Sequence, residues 1–166
     1  MKNFIAAFIL FSNLAFSQDY PQDYFGKPLG IDLNVTGSFG ELRYNHFHSG
    51  VDFGSNRKIG DPIFAVADGE VVRIQINEKG YGKVIYIKHP NGFTSVYAHL
   101  NDYSGGIRDF VKANQYKEKK YALEMFPLKN ELIVKKGDVI GYVGILEVLE
   151  ERICIMKFVI HKVKKL

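Results

Sequence analysis

The chain has 166 residues, 46% of them hydrophobic and 24% charged, with a net charge of +4 at pH 7. These figures exclude wholesale disorder and point to one domain with a modest core. Solvated surface lysines account for the mild positive charge, so it demands no nucleic acid, phospholipid or acidic wall polymer as partner, and no nucleic-acid partner is expected.

Residues 1–17 read as a signal peptide. Lys2 supplies the positive start, residues 4–11 begin an apolar run, and Ala15-Phe16-Ser17 is a small-x-small cleavage box before Gln18. The apolar run is short for a membrane span and is broken by Ser12 and Asn13. A retained anchor is the lesser alternative, and no stable span is expected after cleavage. The single cysteine, Cys154, cannot form an internal disulfide, so packing, a metal or both must hold the fold.

Residues 18–36 form an N-terminal arm, polar and aromatic with prolines as far as Leu29 and strand-like from Gly30. Residues 66–76 read as a turn and then a strand. Gly80-Tyr81-Gly82 is a turn, and residues 83–89 are β-branched and aromatic, as strands favour. Pro90-Asn91-Gly92 is a hairpin turn, because Asn and Gly tolerate positive φ, and residues 93–99 return as a strand. An antiparallel meander follows. Ser104-Gly105-Gly106 opens a loop or helix, and Ile107, Phe110 and Val111 suit a short helix with a lysine-rich end, set as a lobe beside the sheet. Residues 131–134 and 139–143 are strands around the turn Lys135-Lys136-Gly137-Asp138.

Chemistry concentrates in Asn45-His46-Phe47-His48-Ser49-Gly50-Val51-Asp52-Phe53 and in Tyr97-Ala98-His99-Leu100. Neutral imidazole and carboxylate both suit Zn²⁺, and His48 and Asp52 stand four residues apart with a glycine between. Ser49-Gly50-Val51 argues for a bend entering a strand rather than a helix. The plainer alternatives are a polar loop histidine and a turn-capping aspartate. A catalytic zinc keeps three protein ligands and a water, and a hydrolase needs a group to handle that water's proton. His99, at the end of a strand, suits that task; its plainer alternative is a core histidine bonded within the sheet.

The order of several segments carries a resemblance. His48-Ser49-Gly50-Val51-Asp52-Phe53 is followed by Gly60-Asp61-Pro62, Ala67-Asp68-Gly69, Gly80-Tyr81-Gly82, His89-Pro90-Asn91-Gly92, Tyr97-Ala98-His99-Leu100 and Lys136-Gly137-Asp138. Together, over roughly residues 37–144, they resemble the lysostaphin/LytM-type zinc metallopeptidases, which cut peptide cross-links in peptidoglycan. The resemblance implies a mainly β fold: a twisted antiparallel sheet of the LytM-like, duplicated-hybrid-motif type with a short helical insertion. It implies His48 and Asp52 as zinc ligands, His99 as the catalytic histidine and peptidoglycan as the partner. His46 lies outside the shared ligand pattern and is expected at the rim of the site. The family's remaining motif, His-x-His on a strand after a Gly-rich turn, would supply the third ligand. This sequence has none.

Residues 145–166 are therefore expected to be an aberrant tail. One reading is an amphipathic terminal helix, since Ile145, Leu149, Ile153, Met156, Ile160 and Val163 are helically spaced. Its basic end could touch a membrane. A sharper reading comes from the genetic code. Residues 145–159 can be written as codons, with third bases chosen freely, so that one restored base at the start yields N-T-G-G-S-G-G-T-H-L-H-Y-E-I-R. That is a Gly-rich turn and a His-x-His strand where the family has them, so a frameshifted tail is expected to fit the domain badly. His161 is expected to substitute for the missing ligand only by chance.

Three functions compete. The first is an exported peptidoglycan endopeptidase, inactive as written for want of the third ligand. The second is a non-catalytic wall binder or activator of a wall hydrolase. The third is a phosphotransfer or biotinyl/lipoyl-type carrier, tempting at Met156-Lys157; but that pair follows the Gly137-Asp138 turn, whereas carrier modules place it before, and a secretion signal disfavours it.

Overall fold

The computed structural model describes residues 23–44, 46–54, 59–78, 80–148 and 151–162, and within 145–148 and 151–162 it describes the strands alone. The signal peptide and its cleavage box lie outside the described residues.

Ten strands and one helix are described. They are β1 (Asn34–Gly37), β2 (Val51–Gly54), β3 (Pro62–Phe64), β4 (Gly69–Ile76), β5 (Lys83–Lys88), β6 (Phe93–Tyr103), α1 (Gly105–Glu118), β7 (Leu123–Met125), β8 (Ile133–Val134), β9 (Val139–Val148) and β10 (Glu151–Lys162). All pairings are antiparallel, in the order β1-β2-β10-β9-β6-β5-β4-β7, with β3 on β9, β8 on β4 and β10 also along β6. The fold is the mainly β, curled antiparallel sheet with one short helix that the resemblance implies.

The meander of β4, β5 and β6 forms as the turn residues require. Gly92 takes φ +83°, and the turn closes with the His89 amide donating to Phe93 O at 2.8 Å. A register shift between Val71 and Arg73 in β4 explains why Val71 and Ile74, three apart, are both buried against one core. The opposite face of β5 and β6 is apolar too: Val84, Val96 and Ala98 pack with Tyr81 and Tyr86. The described part of the arm is docked. Leu29 is buried and bridges Ile63, and the Gly26 amide donates to Val66 O at 2.6 Å. Helix α1 buries Ile107 and Val111.

Deep in the sheet a polar chain runs from the Asp68 carbonyl through His89, Ser95 and Tyr97 to the Val66 amide, with separations of 2.8 to 3.2 Å. A carbonyl only accepts, so His89 Nδ1 carries a hydrogen. Burial pushes the His89 pKa below the ordinary 6.5, opposed by the bond to the Asp68 carbonyl. Burial also raises the Tyr97 phenol to about 12. Between the depressed folded pKa of His89 and 6.5 the unfolded chain binds the extra proton. The His89 contribution is therefore complete above about pH 6.5 and is lost progressively as pH falls toward the folded value. Thermal melts from pH 7.5 to 5 should show stability declining with acid below pH 6.5. His89→Gln should flatten that slope; an equal slope in the variant would remove His89 as its cause.

The terminal helix expected over residues 145–163 is not what forms. Residues through Val148 extend β9, and Glu151–Lys162 is β10, paired with β2 on one side and with β9 and then β6 on the other. Helical spacing and strand-forming content coexist in this segment: Ile153, Ile155, Phe158, Val159 and Ile160 are β-branched or aromatic. Without β10, β2 and the 93–98 end of β6 would lack the ladder partners it gives them, and unpaired backbone groups in a sheet interior are costly. This two-sided pairing meets only the backbone half of what would count against a misread tail. The packing of the tail's side chains lies outside the described residues.

Candidate active site

His48 ends a tight loop. The Gly40 amide donates to His48 O at 2.7 Å, the His48 amide to Glu41 O at 2.8 Å, and Leu42 bridges Phe47. Asp52 follows inside β2, not as a turn cap, and both side chains are buried, at 4% and 7% exposure. His48 Nδ1 lies 2.9 Å from Ser38 O. That carbonyl must accept, so Nδ1 carries the hydrogen and the Nε2 lone pair of the neutral ring is left facing Asp52 Oδ1, 3.1 Å away. Oδ1 is buried and makes no hydrogen bond, since neither it nor the Nε2 lone pair supplies a hydrogen. Two lone pairs so placed repel unless a cation or proton lies between them. Two ligands on one tetrahedral zinc stand roughly 3.2–3.4 Å apart, so the pair fits two coordination positions. A backbone carbonyl on the far ring nitrogen is also how ligating histidines are held.

The other Asp52 oxygen is occupied. Arg43 donates to Oδ2 at 3.1 Å and to Glu41 Oε2 at 3.1 Å, and the Ser38 amide donates to the same Glu41 oxygen at 3.3 Å. Gly37 makes room for this bracket: a Cβ there would lie 2.5 Å from Arg43 Nη2 and 2.7 Å from Asp52 Oδ2. Gly37→Ala should therefore destabilise the domain by about 1–3 kcal/mol, as overpacking does. Urea unfolding of the two proteins measures this, and unchanged stability would show that the bracket yields freely. Sequence reading did not assign Arg43, Ser38 and Gly37 to the site, although they lie in the resembling stretch that begins at residue 37.

His99 sits on β6, half-buried, with φ +60°. The register explains this: Lys83 faces Leu100 and Ile85 faces Tyr97, so β6 carries one more residue than β5 across that interval, a bulge. Lys157 of β10 pairs with Asp52 on one side and Ala98 on the other. The backbones of Asp52 and residue 98 are thus two strand spacings apart, about 10 Å, which brings His99 toward the His48–Asp52 pair. His46 is exposed on the loop before His48. His161 pairs in register with Thr94, four residues from Lys157 and so about 13 Å along β10 from the position opposite Asp52. Among the described residues no group of three or more His, Cys, Asp or Glu is arranged to hold a metal ion.

With this geometry in place, the chain can be set beside known proteins. The model of peptidase family M23 matches residues 46–117, which hold His48, Asp52 and His99 and stop short of β9 and β10. The DD-carboxypeptidase/endopeptidase Mpg of Neisseria meningitidis serogroup B is 39% identical over 64 residues, 37% of this chain and 14% of that protein. The lipoprotein NlpD of Yersinia enterocolitica is 41% identical over 56 residues, 34% of this chain and 58% of that protein. Csd3 of Helicobacter pylori superposes with a TM-score of 0.53 and 27% identity over 83% of this chain and 30% of that one. The chain spans only part of the length of each.

Proposed function

We propose that this chain, whose family-model match and structural likeness support the lysostaphin/LytM type of peptidase family M23, is an exported protein built to hydrolyse peptide cross-links of peptidoglycan, holding two of the three protein ligands that a catalytic zinc needs. The observation that carries the proposal is the buried His48–Asp52 pair: Nδ1 committed to Ser38 O, Nε2 and a hydrogen-bond-free Oδ1 3.1 Å apart. His48 Nε2 and Asp52 Oδ1 would hold the ion, and Arg43 keeps Asp52 to one free oxygen. When bound, zinc supplies a charge that polarises a scissile carbonyl and acidifies water. His99 takes or returns the proton at its ring nitrogen.

As written, the chain is inactive in this reading, because its sequence lacks the His-x-His motif that would supply the third ligand. A frameshift at the start of residues 145–166 remains the proposed cause. The two-sided pairing of β10 tests only the backbone, and many segments rich in strand formers would satisfy that slot. The restored frame places histidines at the positions of Ile153 and Ile155. Residue 155 pairs with Gly54, about 7 Å along the strand from the position opposite Asp52, and alternation puts both histidines on the side of the sheet shared with residue 157.

The missing ligand equally favours a second reading, a non-catalytic wall-binding protein or activator of a wall hydrolase. Zinc content and release of soluble peptides from isolated peptidoglycan, measured on the purified chain and on the restored-frame chain, separate the two. Zinc and hydrolysis gained on restoration support the first reading; wall binding by the chain as written, with neither gained on restoration, supports the second. An envelope location is part of the proposal. No helix among the described residues is long and apolar enough to cross a membrane.

A further inference from the structure

We infer that Tyr81 is a positioning residue that aims His99 and ties it to the loop carrying His48, an inference that rests on His99 being the proton-handling group. Three contacts converge on this one side chain and its backbone. The Tyr81 carbonyl accepts the His99 amide at 3.0 Å. The Tyr81 ring meets the His99 ring edge-on, with centroids 6.0 Å apart and planes at 86°. The phenol shares a hydrogen bond of 2.9 Å with Ser49 Oγ, one residue from His48.

The backbone explains why such a tie is needed. His99 is the bulged residue of β6, at φ +60°, a left-handed conformation disfavoured for any residue with a Cβ. A bulge re-aims a side chain, and it persists only where its surroundings over-determine it. Gly144 on β9 leaves the room, since a Cβ there would overlap the His99 carbonyl and approach the Asn101 amide to 2.8 Å. Tyr81 supplies the hold: its body packs on Val84, Val96 and Ala98, the apolar patch beneath the bulge. The Gly80 and Gly82 neighbours, at φ +77° and +61°, let the turn place that ring against the sheet. Its far end then reaches Ser49. The distance between the ligand pair and the proton-handling histidine is thus set through one tyrosine, not through the sheet alone.

The test uses the full chain and reads the ring resonances of His99 in long-range proton–nitrogen spectra, with His46 and His89 as internal references. Tyr81→Leu should displace the His99 signals and leave the two references in place. Tyr81→Phe and Ser49→Ala remove the same hydrogen bond, so each should give the same smaller displacement. The double variant should add nothing to either, since a shared bond can be lost only once. His99 signals unmoved in all variants, or additive displacements in the double variant, would overturn the inference. If Tyr81→Leu does not fold, the Phe and Ala cycle decides alone. The measurement requires neither bound zinc nor hydrolysis. Its failure therefore leaves the peptidase reading to the zinc and hydrolysis assays, and a failure of those assays leaves the positioning of His99 to this one.

Discussion

Restoring the reading frame ahead of Ile145 should convert a chain that binds zinc poorly and leaves peptidoglycan intact into one that binds one zinc per molecule and releases peptides from it. The expectation follows from ligand count. Two protein ligands, however well set, leave the ion without the third anchor of a catalytic site. Losing an outer-shell partner alone costs about 10–100-fold in metal affinity, and a missing first ligand should exceed the upper end of that range. His48 and Asp52 are already held in place by Ser38 O and Arg43, so the restored strand has only to bring the last donor. Metal analysis after dialysis and a turbidity assay on isolated peptidoglycan read both effects. Equal zinc and equal hydrolysis from the chain as written would mean that an unrecognised ligand completes the site, and the account of the tail would be wrong.

In the restored protein, His99→Ala should lower kcat roughly 10²–10⁴-fold while zinc stays stoichiometric. The two effects separate because His99 is half-buried on β6 and is not part of the His48–Asp52 pair. Loss of zinc in the variant would make His99 a ligand; an unchanged kcat would leave the proton to another group.

Local chemistry was legible because turns announce themselves. Pro90-Asn91-Gly92 predicted its hairpin, and the glycines around Tyr81 predicted their turn, since those backbone angles depend on the residues themselves. The same locality hid Tyr81 as anything more than a turn residue. Its contacts with Ser49 and His99 lie far off in the chain and form only in the assembled sheet, where β5 pairs with β6 and β10 joins β6 to β2. Arg43 likewise reads as an ordinary charge until β1 and β2 bring Gly37 beside Asp52.

By itself the sequence determined the mainly β class, the order of the meander, the helix after Ser104, and the residue types of a His–Asp pair with a separate histidine. Each depends on side-chain chemistry or on neighbours within a few residues. Tertiary structure alone decided three other things. The tail became β10 and not a helix, because a slot between β2 and β6 offered ladder partners that helical spacing cannot match. His161 fell about 13 Å from the position opposite Asp52, because strand register, and not residue type, sets position along a sheet. Asp52 and residue 98 came within two strand spacings of each other because β10 pairs with both at Lys157, a proximity written in long-range hydrogen bonds that no local window of residues contains.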